Sequence, residues 1–240
     1  MATPTKTQTS LPGVLGEILV DVLTADRRTP GPAVLVLRGF KGFKDWGMFP
    51  PFAARLARAG FTAVSFNLSG SGVDGSGRFA FPDRFGHSTF TADQEDLDRI
   101  LESLDAGLLD LPRPTTVGIV GHSRGGGSAI LAAARLPRLA ALVTWAAIGT
   151  VRRWTEVQLT AWRAAGQLDV VNSRTGERLP LYLVTVADLD AHADSTLNVA
   201  AAAKRLTTPW LLIHGEADET VPVREAHDLR SAAGSHPGLS

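Results

Sequence analysis

Short apolar runs set off by glycine and proline recur along this chain, and stretches with a helical period lie between them. Ala33 to Leu37 is apolar at every position and follows the turn signal Pro30-Gly31-Pro32. Phe61 to Phe66, Val117 to Val120, Leu139 to Ala147 and Trp210 to Ile213 are similar. Runs this short, rich in β-branched residues and without a polar face, fit strands covered on both sides. Ile18 to Leu23 alternates weakly, as expected of a strand on the outer part of a sheet. Residues 1–13 are polar with two prolines and predict a loose lead-in.

The helical segments fall between these runs. Pro51 opens one in which Phe52, Leu56 and Ala59 share a face, and Gly60 ends it. Another starts near Thr91, where Thr91 and Gln94 resemble a capping box and Leu97, Ile100, Leu101 and Leu104 form the buried side. Ser128 to Leu136 is alanine-rich, and Val223 to Ala233 is followed by Gly234. Strands separated by helices predict an α/β fold, a mostly parallel sheet with helices on both faces.

Residues 150–205 break the rhythm. Thr155 to Ala165 has helical spacing, and Val170-Val171 and Leu179 to Leu183 flank Asn172-Ser173-Arg174-Thr175-Gly176-Glu177 as a hairpin would. An insertion of this size between two core strands predicts a cap over the carboxyl edge of the sheet, where ligands bind in such folds. Trp154, Trp162 and Tyr182 either line an acyl pocket or pack the cap to the core. The expected organisation is a single domain over 14–240 with this cap inside it.

Composition narrows the function. The chain has 240 residues, with 24 Lys plus Arg against 24 Asp plus Glu, so no net field draws it to nucleic acid or an anionic membrane. It has no cysteine, which excludes disulfides and thiol catalysis. No apolar run has signal-peptide or transmembrane length, so a cytoplasmic location is the expectation.

Chemistry concentrates at Gly121-His122-Ser123-Arg124-Gly125. A β-branched run precedes it and a helix follows, the setting of a G-x-S-x-G nucleophile elbow. Glycines two before and two after the serine let strand and helix approach across a turn too tight for side chains. Ser123 is the candidate nucleophile, and the backbone N–H of Arg124 faces charge developing on a substrate oxygen. The second such donor comes from the loop after the preceding central strand, which makes the N–H of Phe40 the candidate. Asp218 follows the last clear strand, so it and Ser123 both sit past carboxyl ends of strands, in the order serine then acid. The alternative for Asp218 is a helix cap alone.

Two other patterns compete. Gly70-Ser71-Gly72-Val73-Asp74-Gly75 matches a dinucleotide fingerprint, but no helical period opens at its third glycine, so no nucleotide cofactor is expected. Asp188, Asp190, His192 and Asp194 would share one face of a strand and could hold a metal, although the alanines around them favour a solvated segment.

RGFKGFKDWG, GHSRGGG and HGEADETVP, in that order, resemble the α/β-hydrolase superfamily. Within it they are most similar to bacterial serine hydrolases of the cinnamoyl/feruloyl-esterase and dienelactone-hydrolase-like groups. The resemblance runs from about Val20 onward. It implies acyl transfer to water on a small-molecule ester, with Ser123 as nucleophile, Asp218 as triad acid, and Phe40 and Arg124 as backbone donors; neither cofactor nor metal is expected. Lactone or peptide cleavage on the same fold and a non-catalytic binding module are the alternatives. Two departures stand out. Arg38 replaces the family's usual histidine, and the catalytic histidine expected after another strand beyond the acid has no counterpart. Only Glu219 to Ser240 follow, and Gly234 to Ser240 carries no apolar strand. The expectation is therefore a chain lacking the last strand and helix, impaired in turnover, with Trp210 to Ile213 as an unprotected, association-prone edge. Among the histidines, His236 alone lies beyond Asp218 and is a weak candidate. Strand alternation should turn His122 away from Ser123, and His214 reads as structural.

Overall fold

The structure, a computed structural model, describes residues 3–172 and 176–240. Seven strands form one sheet in the order β1-β2-β4-β3-β5-β6-β9. They are β1 (Thr5–Pro12), β2 (Glu17–Thr24), β3 (Ala33–Leu37), β4 (Thr62–Asn67), β5 (Val117–His122), β6 (Ala141–Trp145) and β9 (Trp210–Ile213). From β4 to β9 every pairing is parallel, while β1 and β2 join antiparallel at one side. All five residues of β3 are buried, so both faces of the sheet centre are covered. The helix α1 (Phe49–Arg58) packs on β2, β3 and β4. The long α3 (Phe90–Asp105) and α4 (Arg124–Arg135) pack together, with α4 lying on β3, β5 and β6.

Between β6 and β9 the chain makes an excursion from the sheet. It comprises α5 (Glu156–Ala165), the hairpin strands β7 (Gln167–Val171) and β8 (Arg178–Tyr182), and α6 (Leu183–His192). The hairpin turn at Ser173, Arg174 and Thr175 lies outside the described residues. Leu159, Trp162, Leu179, Leu181 and Val186 form a second hydrophobic cluster with Val73, Phe79 and Phe85, fastening the cap to the loop after β4. That loop carries the short helix α2 (Pro82–Gly86), which no periodicity announces. From Leu189 onward the chain rejoins the main core. The helix α7 (Val199–Lys204) packs on α4 and on α8 (Arg224–Ala233), so the excursion ends earlier than residue 205.

Several expectations need correction. Residues 5–12 are not a loose lead-in. They pair along their whole length with β2, as an edge strand with only Leu11 buried, which is why no apolar alternation marks them. In α1 the buried residues are Phe49, Ala53 and Ala57 instead of Phe52, Leu56 and Ala59. The cap of α3 is Thr89, whose hydroxyl accepts from the Ala92 N–H, while Thr91 donates to Asp188. The end of the chain also differs from expectation. Trp210 N–H donates to Gly238 O, Leu212 N–H to Ser240 O and Ser240 N–H to Trp210 O, so residues 238–240 run parallel along β9 and occupy part of the edge expected to be bare. These bonds are made by backbone alone, which side-chain patterning does not reveal.

Candidate active site

The carboxyl ends of β3, β5 and β9 carry the loops that hold Phe40, Ser123 and Asp218. Ser123 follows β5 directly, with φ 55° and ψ −120°, a conformation that disfavours every residue with a Cβ and is held by its surroundings. Its N–H donates to Trp145 O at 3.0 Å, and its carbonyl accepts from Gly126 N–H at 2.9 Å and Ile148 N–H at 3.2 Å. The flanking glycines make the turn possible. A Cβ on Gly121 would strike Gly125 O, and one on Gly125 would stand 2.5 Å from Arg38 O. Strand, elbow and helix are in direct backbone contact there.

The hydroxyl of Ser123 has no hydrogen-bond partner among the described residues. The same holds for the backbone N–H groups of Phe40 and Arg124. Phe40 lies in a tight turn closed by Gly42 N–H donating to Gly39 O at 3.0 Å, with Lys41 at φ 59°. Its ring packs 5.4 Å from Phe85, which anchors the turn to the cap-side cluster. The side chain of Arg124 is bound through Nε to Asp93 at 2.8 Å and stacks 3.9 Å over Phe90. Burial raises the pKa of Asp93, opposed by the adjacent guanidinium.

Ser123, Phe40, His122 and Asp218 line one cavity of about 490 Å³. A second, of about 250 Å³, opens from Ser123 between Phe40, Phe90, Ile148, Trp154 and Val170. Asp218 accepts from the Val221 and Thr220 N–H groups, both at 2.9 Å, and these amides hold its carboxyl below the ordinary value, Val221 foremost. Its other oxygen lies 4.0 Å from His214 Nε2, which bonds the Val221 carbonyl at 2.7 Å and so serves the loop.

The remaining predicted residues separate. His122 sits between the rings of Phe49 and Trp145, yet its Nδ1 reaches 3.3 Å from where a Gly39 Cβ would stand, a point 3.2 Å from Ser123 Oγ. It therefore shares the cavity instead of turning away from it. His236 lies beside Pro209, at the amino end of β9, whereas Asp218 follows the carboxyl end. Trp162 is fully buried with Nε1 on Leu181 O, and Tyr182 packs on His87 and Gly86, so only Trp154 of the three aromatic candidates borders the serine. The Gly70 to Gly75 segment begins as a single 3-10 turn and opens no helix at Gly75. Asp188, Asp190 and Asp194 diverge along and beyond α6, to the α3 amides, Arg163 and Arg152 respectively. No helix among the described residues is long and apolar enough to cross a membrane.

Sequence reasoning missed two supports. Asn67 Oδ1 accepts from both Arg38 Nη2 and the Lys44 N–H, tying the two ends of the Phe40 turn together. Asp93 fixes Arg124 from the neighbouring helix α3. Neither stands in a motif.

A strained serine between a parallel strand and a helix, beside two amides without partners, defines an α/β protein with a nucleophile elbow. The chain belongs to the alpha/beta hydrolase family, whose profile matches residues 34–237. It is 23% identical over 193 residues to the 2,6-dihydropseudooxynicotine hydrolase of Paenarthrobacter nicotinovorans, a match covering 79% of this chain. The chain spans 45% of the length of that curated relative. Among solved structures, ferulic acid-bound Est1E from Butyrivibrio proteoclasticus superposes with a TM-score of 0.71 at 17% identity, over 97% of this chain and 87% of that one. A putative dienelactone hydrolase from Klebsiella pneumoniae gives 0.62 at 18%, over 98% and 83%.

Proposed function

We propose that this chain is a serine hydrolase acting on carboxylic esters through an acyl-enzyme on Ser123. Oγ attacks the ester carbonyl, the oxygen that becomes negative is received by the Phe40 and Arg124 amides, and the alcohol leaves carrying the proton given up by the Ser123 hydroxyl. Water then releases the acid by the same path. The apolar cavity beside Trp154 takes the acyl group, and the wider one leads the alcohol out past Asp218. Esters are favoured over amides because an alkoxide needs less protonation to leave than an amine. The observation that carries this reading is the backbone of Ser123, strained at φ 55° with its hydroxyl facing a cavity.

Asp218 is assigned as the acid of the triad. The base is the weak member, since Ser123 Oγ has no histidine partner among the described residues. In serine proteases loss of that histidine lowers turnover by about a millionfold, while oxyanion donors and binding alone keep roughly a thousandfold over water. We therefore assign this chain slow acylation. The test is p-nitrophenyl acetate hydrolysis by the chain and by Ser123→Ala. A slow release of nitrophenol that disappears in Ser123→Ala supports the proposal, and equal rates in both refute it.

A further inference from the structure

Behind the turn that carries Phe40 lies a separate small cavity of about 60 Å³. Its walls include Arg38, Asn67, Asp93, Arg124 and Ser128. Five buried polar atoms on these residues have no hydrogen-bond partner among the described residues: Arg38 Nε and Nη1, Asn67 Nδ2, Arg124 Nη2 and Ser128 Oγ. Four of the five are obligate donors and the hydroxyl can be one. Asn67 and Ser128 are each only 2% exposed, so bulk solvent does not serve them.

The charges are as one-sided as the hydrogen bonds. Arg124 has Asp93 as its counterion. Arg38 forms no ion pair among the described residues: its Nη2 bonds Asn67 Oδ1, and its guanidinium lies 5.8 Å from the centre of the Phe49 ring. The carboxylates that act on it from farther off, Asp45 and Asp21, are bound to Lys44 and Lys6. Asp96 and Asp188, which act on Asp93, bind amides of other segments. Burial draws the pKa of Arg38 down to about 9, so it stays cationic at neutral pH. A buried, uncompensated guanidinium is strongly unfavourable unless something of opposite charge meets it. The two guanidiniums and the Asp93 carboxylate leave one positive charge, and Lys41, which also lines the cavity with its Nζ on Val171 O, adds no negative one.

We propose that this cavity binds one small monovalent anion of halide size between the guanidiniums of Arg38 and Arg124. The volume admits it, since a single water needs roughly 10–15 Å³ by the same measure. Ser123 does not line this cavity, although Phe40 borders it and both Ser123 cavities, and the proposal does not depend on the hydrolase reading. Because its wall is the turn bearing Phe40, occupancy stabilises that turn.

The experiment compares thermal unfolding of the chain in sodium chloride and in sodium gluconate at equal ionic strength. A saturable rise in Tm with chloride is expected, retained in Ser123→Ala and lost in Arg38→Met. Should Arg38→Met fail to fold, crystals of the unaltered chain grown in sodium bromide decide the matter, with an anomalous peak expected between Arg38 and Arg124. Equal Tm in the two salts, a chloride effect that survives Arg38→Met, or water alone in the bromide map would overturn the proposal.

Discussion

Replacing Gly125 by alanine tests how the elbow and the Phe40 turn are coupled. A Cβ at this position would lie 2.5 Å from Arg38 O and 2.9 Å from Leu37 C, whereas ordinary contact begins near 3.4 Å. The obstructing atoms are backbone at the end of β3, a strand buried throughout, so no side chain can swing aside. Helix and strand must part by about 1 Å, a misplacement that costs reacting groups on the order of a hundredfold in rate. Overpacking of this kind destabilises by about 1–3 kcal/mol. Alanine recovers about 0.5–1 kcal/mol over glycine inside a helix, which leaves a net loss of about 0–2.5 kcal/mol. The separation also moves the Arg124 amide away from the Phe40 amide, so acylation of Ser123 should fall more than stability alone explains. Urea unfolding measures the first effect, and the labelling rate with a fluorophosphonate the second. Gly215→Ala is the control, because no atom of the described residues outside its own neighbours lies within 4 Å of its added Cβ. Unchanged labelling and stability in Gly125→Ala, or an equal loss in Gly215→Ala, would refute the reasoning.

Ser123→Gly should remove the strain at φ 55°, worth about 1–3 kcal/mol, against about 0.5–1 kcal/mol of added chain entropy. The variant should melt higher than the parent while being inert to phosphonate, and a lower Tm would contradict the strain assignment. For Asp218 the Val221 and Thr220 amides depress the folded-state pKa, so its contribution is present above the unfolded value of about 3.9 and is lost as pH falls through the folded one. The stability gap between the parent and Asp218→Asn should thus be open at about pH 6 and close towards about pH 2. Urea melts that give the same gap at both would show that the amides do not favour the charged form. Trp162→Phe removes the Nε1–Leu181 O bond in a fully buried site. It should lower stability by about 1–3 kcal/mol with little change in phosphonate labelling, and a comparable loss of labelling would place Trp162 in the site.

Much of this was legible where side-chain chemistry and backbone geometry coincide. Gly121-His122-Ser123-Arg124-Gly125 announces its turn because each glycine fills a place where a Cβ would strike backbone. The central strands are legible because burial on both faces demands unbroken apolar runs. The rest escaped for the converse reason. β1 is held by ladder bonds and presents polar residues to solvent on most positions, so it resembles a disordered leader. The face of α1 was misread because alanines at 53 and 57, which allow close packing on the sheet, carry weaker apolar signal than the partly exposed Phe52 and Leu56. Asp93 and Asn67 act across 31 and 23 residues of sequence, and separations of that kind are set by tertiary packing. His122 shows the limit of strand alternation, which fails at the last residue of β5, where the elbow begins.

The claim on which the enzymatic account rests is that one hydroxyl, at residue 123, is the nucleophile. Prolonged incubation with a fluorophosphonate, followed by intact-mass and peptide mass spectrometry, tests it most directly. The account predicts a single adduct mapped to Ser123, formed slowly and absent from Ser123→Ala. An adduct on another residue, or one that persists in Ser123→Ala, would contradict it.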